Sequence, residues 1–132
     1  MGFWGRGLLV GLNLFVAAGV AHAATIYTWV DSDGGGFQTA DNWNPSGVPT
    51  TGDTADFDLS KSYTVTFSAD AASEWLTVGN DTVRMELGTR TYSVTREVLV
   101  GTASGDKALL TLSGGNLKSQ GGQQFPGSQK TA

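Results

Sequence analysis

Aspartates are concentrated between residues 24 and 60, a stretch without lysine or arginine. Carboxylate oxygens are the ligands that Ca²⁺ prefers in proteins. Asp31, Asp33 and Gly36 match the first, third and sixth positions of a calcium-binding loop, but Asn42 stands where that pattern has a bidentate glutamate. The spacing therefore allows a calcium site at Asp31 and Asp33, and no other cofactor is expected. The simpler alternative is that aspartate and glycine form turns here.

Three aromatic residues, Trp29, Phe37 and Trp43, lie close together in the same stretch, among asparagines and aspartates. Aromatic rings with polar neighbours can stack on the rings of a polysaccharide, so these three are candidate carbohydrate-binding residues. The competing interpretation is that they pack against one end of a hydrophobic core. The stretch contains little leucine, isoleucine or valine that could do so instead.

The sequence offers little for catalysis. His22 is the only histidine and there is no cysteine, so removal of residues 1–23 would exclude a Ser-His-Asp triad, a Cys-His pair and the usual zinc sites. A set of charged residues could line a cleft, but their spacing specifies no site: Arg84, Glu86, Arg90, Arg96 and Glu97. We expect solvated surface charges and no enzymatic activity.

Residues 1–23 have the pattern of a secretion signal. Arg6 lies in a short basic region, an apolar run covers residues 7–20, and Ala-His-Ala at 21–23 offers a cleavage site. Cleavage leaves seven basic and twelve acidic side chains, a net charge of −5, which argues against a nucleic-acid partner. The apolar run is too short to span a membrane comfortably. We therefore expect a secreted or cell-surface protein without a transmembrane span after cleavage.

The rest of the chain carries the alternation of β-strands. Apolar and polar residues alternate in short runs bounded by turn-forming residues, at 63–67, 83–87, 92–95, 98–100 and 110–112. A period of two is typical of strands with one buried face, and no segment keeps helical spacing. The sequence therefore predicts an all-β fold.

Two pairs of these segments resemble each other at a spacing of 22 to 25 residues. Residues 76–79 (Leu-Thr-Val-Gly) are echoed at 98–101, 85–88 are echoed at 110–113, and Tyr92 corresponds to Leu117. This spacing suits one coil of a β-solenoid, whose coils stack to bury a common core. We therefore predict a fragment of a right-handed parallel β-helix; a β-sandwich or meander is the alternative.

The predicted organisation has four parts. A signal at 1–23 precedes an N-terminal cap segment at 24–60, which would cover the unpaired strand edge of the first coil. Solenoid coils follow at 61–118. Residues 119–132, rich in Gln, Gly and Ser, are predicted to be a disordered or truncated tail.

The motifs resemble the opening of a group of large secreted proteins. The chain reads Trp29-x-Asp31, then GGF-x-TADNW at 35–43, GVP at 47–49, GDTADF at 52–57 and YTVTF at 63–67. This series is similar to autotransporter-associated β-strand, dockerin-type and PEP-CTERM surface proteins of environmental bacteria, and LTVG at 76–79 and LTLSGG at 110–115 are similar to their repeats. The resemblance implies a long parallel β-helix with a C-terminal sorting or anchoring element. The chain after Lys118 departs from it, because no such element follows.

The functional expectation is a non-catalytic extracellular or cell-surface structural or adhesion module, as a truncated piece of a larger β-helix protein. Its partners would be extracellular polysaccharide or cell-surface components. The alternative is a carbohydrate-binding module, or a fragment of a polysaccharide-degrading β-helix enzyme. An uncapped solenoid end is also a template for strand pairing, so end-to-end self-association is expected.

Overall fold

The computed structural model describes residues 23–121, 123–124 and 129–131. The predicted secretion signal lies outside the described residues, except for Ala23. Within these ranges the regular structure is β-strand apart from one turn of 3-10 helix, Ala40–Asn42. The predicted all-β class is confirmed. In the described ranges, no helix combines the length and the apolar character needed to cross a membrane.

Within the described ranges, twelve strands form two sheets. In chain order they are β1 Ile26–Trp29, β2 Gly35–Gly36, β3 Trp43–Asn44, β4 Thr54–Phe57, β5 Ser62–Thr66, β6 Ala71–Ser73, β7 Trp75–Val78, β8 Thr82–Val94, β9 Val98–Val100, β10 Leu109–Ser119, β11 Gln123–Gln124 and β12 Gln129–Thr131. Sheet A has the order β12-β10-β8-β5-β2, and β6 also pairs with β8. Sheet B has the order β11-β9-β7-β4-β1-β3.

The chain passes back and forth between the two sheets, and each pass lies beside the previous one. The described strand pairs are parallel, with the single exception of β1 and β3. The antiparallel β3 lies on the outer side of β1, where it covers the edge of sheet B. Parallel strands buried between layers need long connections, and here each connection contains a strand of the other sheet.

The strand register agrees with part of the predicted spacing. Leu76 lies opposite Val98 and Tyr92 lies opposite Leu117, as the similarity of these segments predicts. The predicted match of Met85 with Leu110 is wrong, because Met85 lies opposite Leu112. The loop after β9 makes the spacing between paired residues longer at Met85 than the predicted one. Two register shifts in β8, on either side of Gly88, then restore the predicted spacing at Tyr92.

The core lies between the two sheets and follows the alternation. In β8, Val83, Met85 and Leu87 are buried, whereas Arg84 and Glu86 between them are exposed. Each fully buried side chain of this size contributes about 1.5–3 kcal/mol of transfer free energy. Stacked passes thus join their inward residues into one cluster, which extends from Trp29 to Leu110 and to the partly buried Leu112 and Leu117.

The segment predicted to be a disordered tail is described in part. Gln123–Gln124 pairs with β9 and Gln129–Thr131 pairs with β10, each in parallel. Residues 122, 125–128 and 132 lie outside the described residues, and for them disorder stays a prediction.

Two glycines with the same backbone conformation offer a matched test of close packing between strands. Gly115 has φ 61° and Gly88 has φ 64°. A methyl group at Gly115 would overlap the carbonyl oxygen of Arg90 and Cβ of Leu87, whereas one at Gly88 would meet nothing within 4 Å. We expect Gly88→Ala to lower the free energy of unfolding by about 1 kcal/mol from backbone strain, and Gly115→Ala to cost at least about 2 kcal/mol more. Urea unfolding measures both; equal losses would mean that the two strands are not in close contact at Gly115.

Candidate functional site

The three aromatic residues predicted to bind carbohydrate are part of a buried ring cluster. Trp29 and Phe37 have no exposed surface, and Trp43 is 2% exposed. Trp29 contacts Trp43 edge-to-face with ring centroids 5.0 Å apart, and Phe37 contacts Trp43 in the same way at 5.1 Å. Phe37 also stacks on Phe67 at 4.8 Å. A sugar would have no access to these ring faces, so the structure favours the packing interpretation for all three.

The polar edges of the two indoles are also occupied. Trp29 Nε1 donates a hydrogen bond to the carbonyl oxygen of Asp31 at 2.7 Å, and Trp43 Nε1 donates to the carbonyl oxygen of Phe37 at 2.8 Å. A buried tryptophan ordinarily finds such a partner. These bonds tie the turn after β1 and the loop after β2 to the ring cluster.

The proposed calcium ligands Asp31 and Asp33 lie in a turn. Asp31 Oδ1 accepts the backbone N–H of Asp33 at 3.0 Å, and the carbonyl oxygen of Asp31 accepts the N–H of Gly34 at 3.1 Å. Gly34 has φ 88°, which few other residues adopt readily. The turn accounts for the aspartate and glycine of this segment. Across the described part of the chain, no group of three or more acidic, histidine or cysteine side chains is arranged to hold a metal ion.

Two buried aspartates have a structural role that the sequence analysis did not identify. Asp81 is completely buried and accepts the backbone N–H of Leu59 at 2.8 Å, the N–H of Lys61 at 3.0 Å and the hydroxyl of Tyr63. Asp53 is 1% exposed and accepts the N–H of Thr25 at 3.1 Å and that of Thr50 at 2.8 Å. Each carboxylate joins segments that are at least 18 residues apart in sequence. The only sequence signal was the position of both aspartates beside turn residues, which is too common to identify them.

Hydrogen bonds also connect the turns of successive passes. Asp58 Oδ1 accepts the N–H of Asn80 at 3.1 Å, and Asn80 Oδ1 accepts the N–H of Lys107 at 3.0 Å. We call Asp58, Asn80 and Lys107 the turn ladder. Gly79 lies beside it, and a Cβ at that position would lie 2.6 Å from Asp58 Oδ1, so a larger residue would displace the Asp58 side chain. Turns are thus held in register by side chains, as the strands are by backbone bonds.

Asp56 lies on the outer side of β4, next to the turn ladder, and its pKa is raised. Its Oδ1 accepts a hydrogen bond from Thr77 Oγ1 at 2.5 Å. Burial raises the pKa of Asp56 above its ordinary 3.8; the Thr77 bond opposes this rise, and the nearby Asp58 and Asp81 charges add to it. The ionised form is therefore disfavoured in the folded protein relative to the unfolded chain.

This shift predicts that Asp56→Asn stabilises the protein more as the pH rises. Because the folded-state pKa of Asp56 is the higher one, its favourable contribution is complete below the unfolded pKa and is lost as the pH rises through the folded pKa. Asn keeps an acceptor for Thr77 without the charge. We expect a gain below about 1 kcal/mol near neutral pH, since Asp56 is only partly buried. Urea unfolding at acid and neutral pH measures it, with the exposed Asp33→Asn as control; a gain independent of pH would contradict the assignment.

Two open grooves on the outer surface of the described residues are candidate binding sites. One, of about 400 Å³, lies between the loop at residues 48–51 and the start of β6. The other, of about 330 Å³, we call the Trp75 groove, and its lining residues are Trp75, Thr95, Arg96, Glu97, Gln120 and Gly121. No site is predicted from the sequence at this position, where Trp75 is the first residue of β7.

The charged residues considered for catalysis do not converge. Arg84 pairs with Glu86 at 3.2 Å on the outside of sheet A, with about half of each side chain exposed. Arg96 pairs instead with Glu74 at 2.8 Å, at the edge of the Trp75 groove. Exposed pairs of this kind contribute little stability. The two carboxylates of this set, Glu86 and Glu97, do not line a common cleft.

Comparison of the chain with protein-family models, with curated proteins and with solved structures finds no match.

Proposed function

We propose that this protein is the N-terminal part of a right-handed parallel β-helix that serves as a non-catalytic structural or adhesion module outside the cell. In this proposal it belongs with the secreted surface proteins that its motifs resemble. Residues 24–60 form the cap of the stack, and the passes from residue 61 onward form its coils.

The observation that carries the proposal is the double attachment between passes. Parallel strands pair within each sheet, and the turn ladder joins the corners between the sheets. Each described pass buries its inward residues on the previous one, and the turn ladder joins three successive turns in the same way. Such a stack grows in one direction as a stiff rod with a polar outer surface, which is the property that a scaffold or stalk needs.

Export is the first test of this function. We expect the full chain, expressed in a bacterial host with a C-terminal tag, to reach the periplasm or medium in a form shortened by the 23 residues of the predicted signal. Mass spectrometry of the N-terminus identifies the cleavage site. Deletion of residues 2–23 is the matched control and should retain the protein in the cytoplasm. Equal distribution of the two forms would contradict an exported module.

Self-association is the second test, because it depends on the stack and not on export. In the described residues, β10 pairs with β12 at Leu109–Thr111, and we expect its outer edge around the partly buried Leu117 to accept a further layer. We expect light scattering of the mature chain to report a mass that rises with concentration. Leu117→Lys should lower that mass toward the monomer by placing a charge between layers. A monomer at every concentration would contradict end-to-end stacking.

A further inference from the structure

The buried aromatic rings form one connected cluster that joins the first three passes, which begin at β1, β4 and β7. The members of this ring cluster are Trp29, Phe37, Trp43, Phe57, Tyr63, Phe67 and Tyr92. Trp29 stacks on Tyr63 with ring centroids 6.0 Å apart, which joins the first pass to the second. Phe37 contacts Tyr92 edge-to-face at 5.2 Å, which joins the first pass to the third. These contacts can therefore form only when the three passes are assembled together.

The buried polar side chains of the described residues lie in the same three passes: Asp53, Ser73 and Asp81. Each of them bonds to a segment distant in sequence. Asp53 accepts the N–H of Thr25 at 3.1 Å, Asp81 accepts the N–H of Leu59 at 2.8 Å, and Ser73 Oγ is hydrogen-bonded to the hydroxyl of Tyr92 at 2.9 Å. A buried polar group is costly until its partners are in place. These bonds therefore disfavour states in which only part of β1 to β8 is assembled.

The fourth pass, which contains β9 and β10, has a different core. Residues 93–121 include no aromatic residue. The buried apolar side chains of this pass are Val98, Val100, Ala108 and Leu110. Val98 lies opposite Leu76 of β7, and Leu110 lies opposite Val83 of β8. The fourth pass thus buries its core side chains against strands of the third.

Polar side chains that attach the fourth pass to the third lie at the surface. The N–H of Lys107 donates to Asn80 Oδ1 at 3.0 Å, and Arg84 Nη2 donates to Ser113 Oγ at 3.2 Å. Both bonds are exposed to solvent, where water can replace either partner at little cost. The coupling between passes is therefore stronger within β1 to β8 than between β8 and the fourth pass.

We propose that β1 to β8 are the folding template of the stack: they fold as one cooperative unit, and the fourth pass folds only onto that unit. A stacked pass gains its stability mainly at the interface with its neighbours. The ring cluster and the buried polar groups supply that interface within the template, so the template is stable before the fourth pass is added. Because synthesis also begins at the N-terminus, the template is available to receive later passes as they follow.

Pulsed hydrogen exchange during refolding of the mature chain from urea tests this order. The chain is diluted from urea, labelled at successive times and analysed by mass spectrometry of its peptides. We expect the backbone amides of β4 and β5 to become protected before those of β9 and β10. Simultaneous protection of the two sets, or earlier protection of β9 and β10, overturns the proposal.

A matched pair of core variants gives a second readout. Val65→Ala and Leu110→Ala each shorten a side chain without exposed surface, in β5 and in β10. By stopped-flow fluorescence, Val65→Ala should slow refolding by about threefold or more. Leu110→Ala should change the refolding rate by less than about twofold and accelerate unfolding by at least about tenfold.

A larger slowing of refolding by Leu110→Ala than by Val65→Ala overturns the proposal. If either variant fails to fold, the labelling experiment on the unmodified sequence still decides. The result is independent of the scaffold function, which is judged by export and by self-association.

Discussion

We expect Asp81→Ala to lower the free energy of unfolding by about 3–5 kcal/mol. The carboxylate is completely buried and accepts hydrogen bonds from the backbone of Leu59 and Lys61 and from the hydroxyl of Tyr63. Alanine leaves all three donors without this acceptor, and one of them, the Tyr63 hydroxyl, bonds inside the buried core. Because the donors belong to the preceding pass, the loss separates the β4–β5 turn from the turn after β7. Urea unfolding of the mature chain measures the change.

Two comparisons isolate burial as the cause. Asp70→Ala removes an exposed carboxylate that also bonds across passes, to the N–H of Thr91 at 2.9 Å, and should cost about 1 kcal/mol or less. Asp81→Asn keeps one acceptor oxygen but turns an amide donor toward other donors, so we expect an intermediate loss of about 1–3 kcal/mol. Similar losses for Asp81→Ala and Asp70→Ala would contradict the role assigned to the buried carboxylate.

The positions of the strands follow from the sequence because one face of each is buried. The alternation at residues 83–87 places Val83, Met85 and Leu87 inward, and a shift by one residue would bury Arg84 and Glu86 instead. The same reasoning predicts the inward residues of 63–67 and 98–100, which are buried. The positions of these strands, and the side chains that point into the core, could thus be predicted from the sequence.

The register between neighbouring parallel strands was harder to predict, because the alternation of apolar and polar residues has a period of two. A displacement of Met85 from Leu110 to Leu112 keeps the same faces inward, so the hydrophobic pattern is satisfied by either pairing. The choice depends on the length of the loop after β9 and on the register shifts around Gly88. Neither leaves a residue pattern that distinguishes the two alignments.

The candidate sites were difficult to predict from the sequence for a different reason. Tryptophan and aspartate serve both binding and folding, and only burial separates these uses. Trp29 and Trp43 have the polar neighbours of a sugar platform, yet they lie in the core; Trp75 has similar neighbours and lies at the surface. Asp31 has the spacing of a metal ligand and forms a turn, whereas Asp81 has no motif and organises a buried corner.

The ring cluster leads to the second large effect: Trp29→Ala should lower the free energy of unfolding by about 3–5 kcal/mol. The indole has no exposed surface and contacts Trp43, Phe57 and Tyr63, with centroids 5.0, 5.6 and 6.0 Å away. Its removal leaves a cavity at the end of the stack and frees the carbonyl oxygen of Asp31 from its indole donor. The neighbouring rings belong to three separate strands, so we expect them to fill the cavity only in part.

Trp75→Ala is the matched control, since it deletes the same side chain from the surface groove. We expect a loss smaller by about 1–2 kcal/mol, because Trp75 is only partly buried whereas Trp29 has no exposed surface. Urea unfolding compares the two variants, and near-ultraviolet circular dichroism should lose its aromatic signal mainly in Trp29→Ala. If Trp75→Ala proved as destabilising as Trp29→Ala, the division between the buried ring cluster and the partly exposed Trp75 would be wrong.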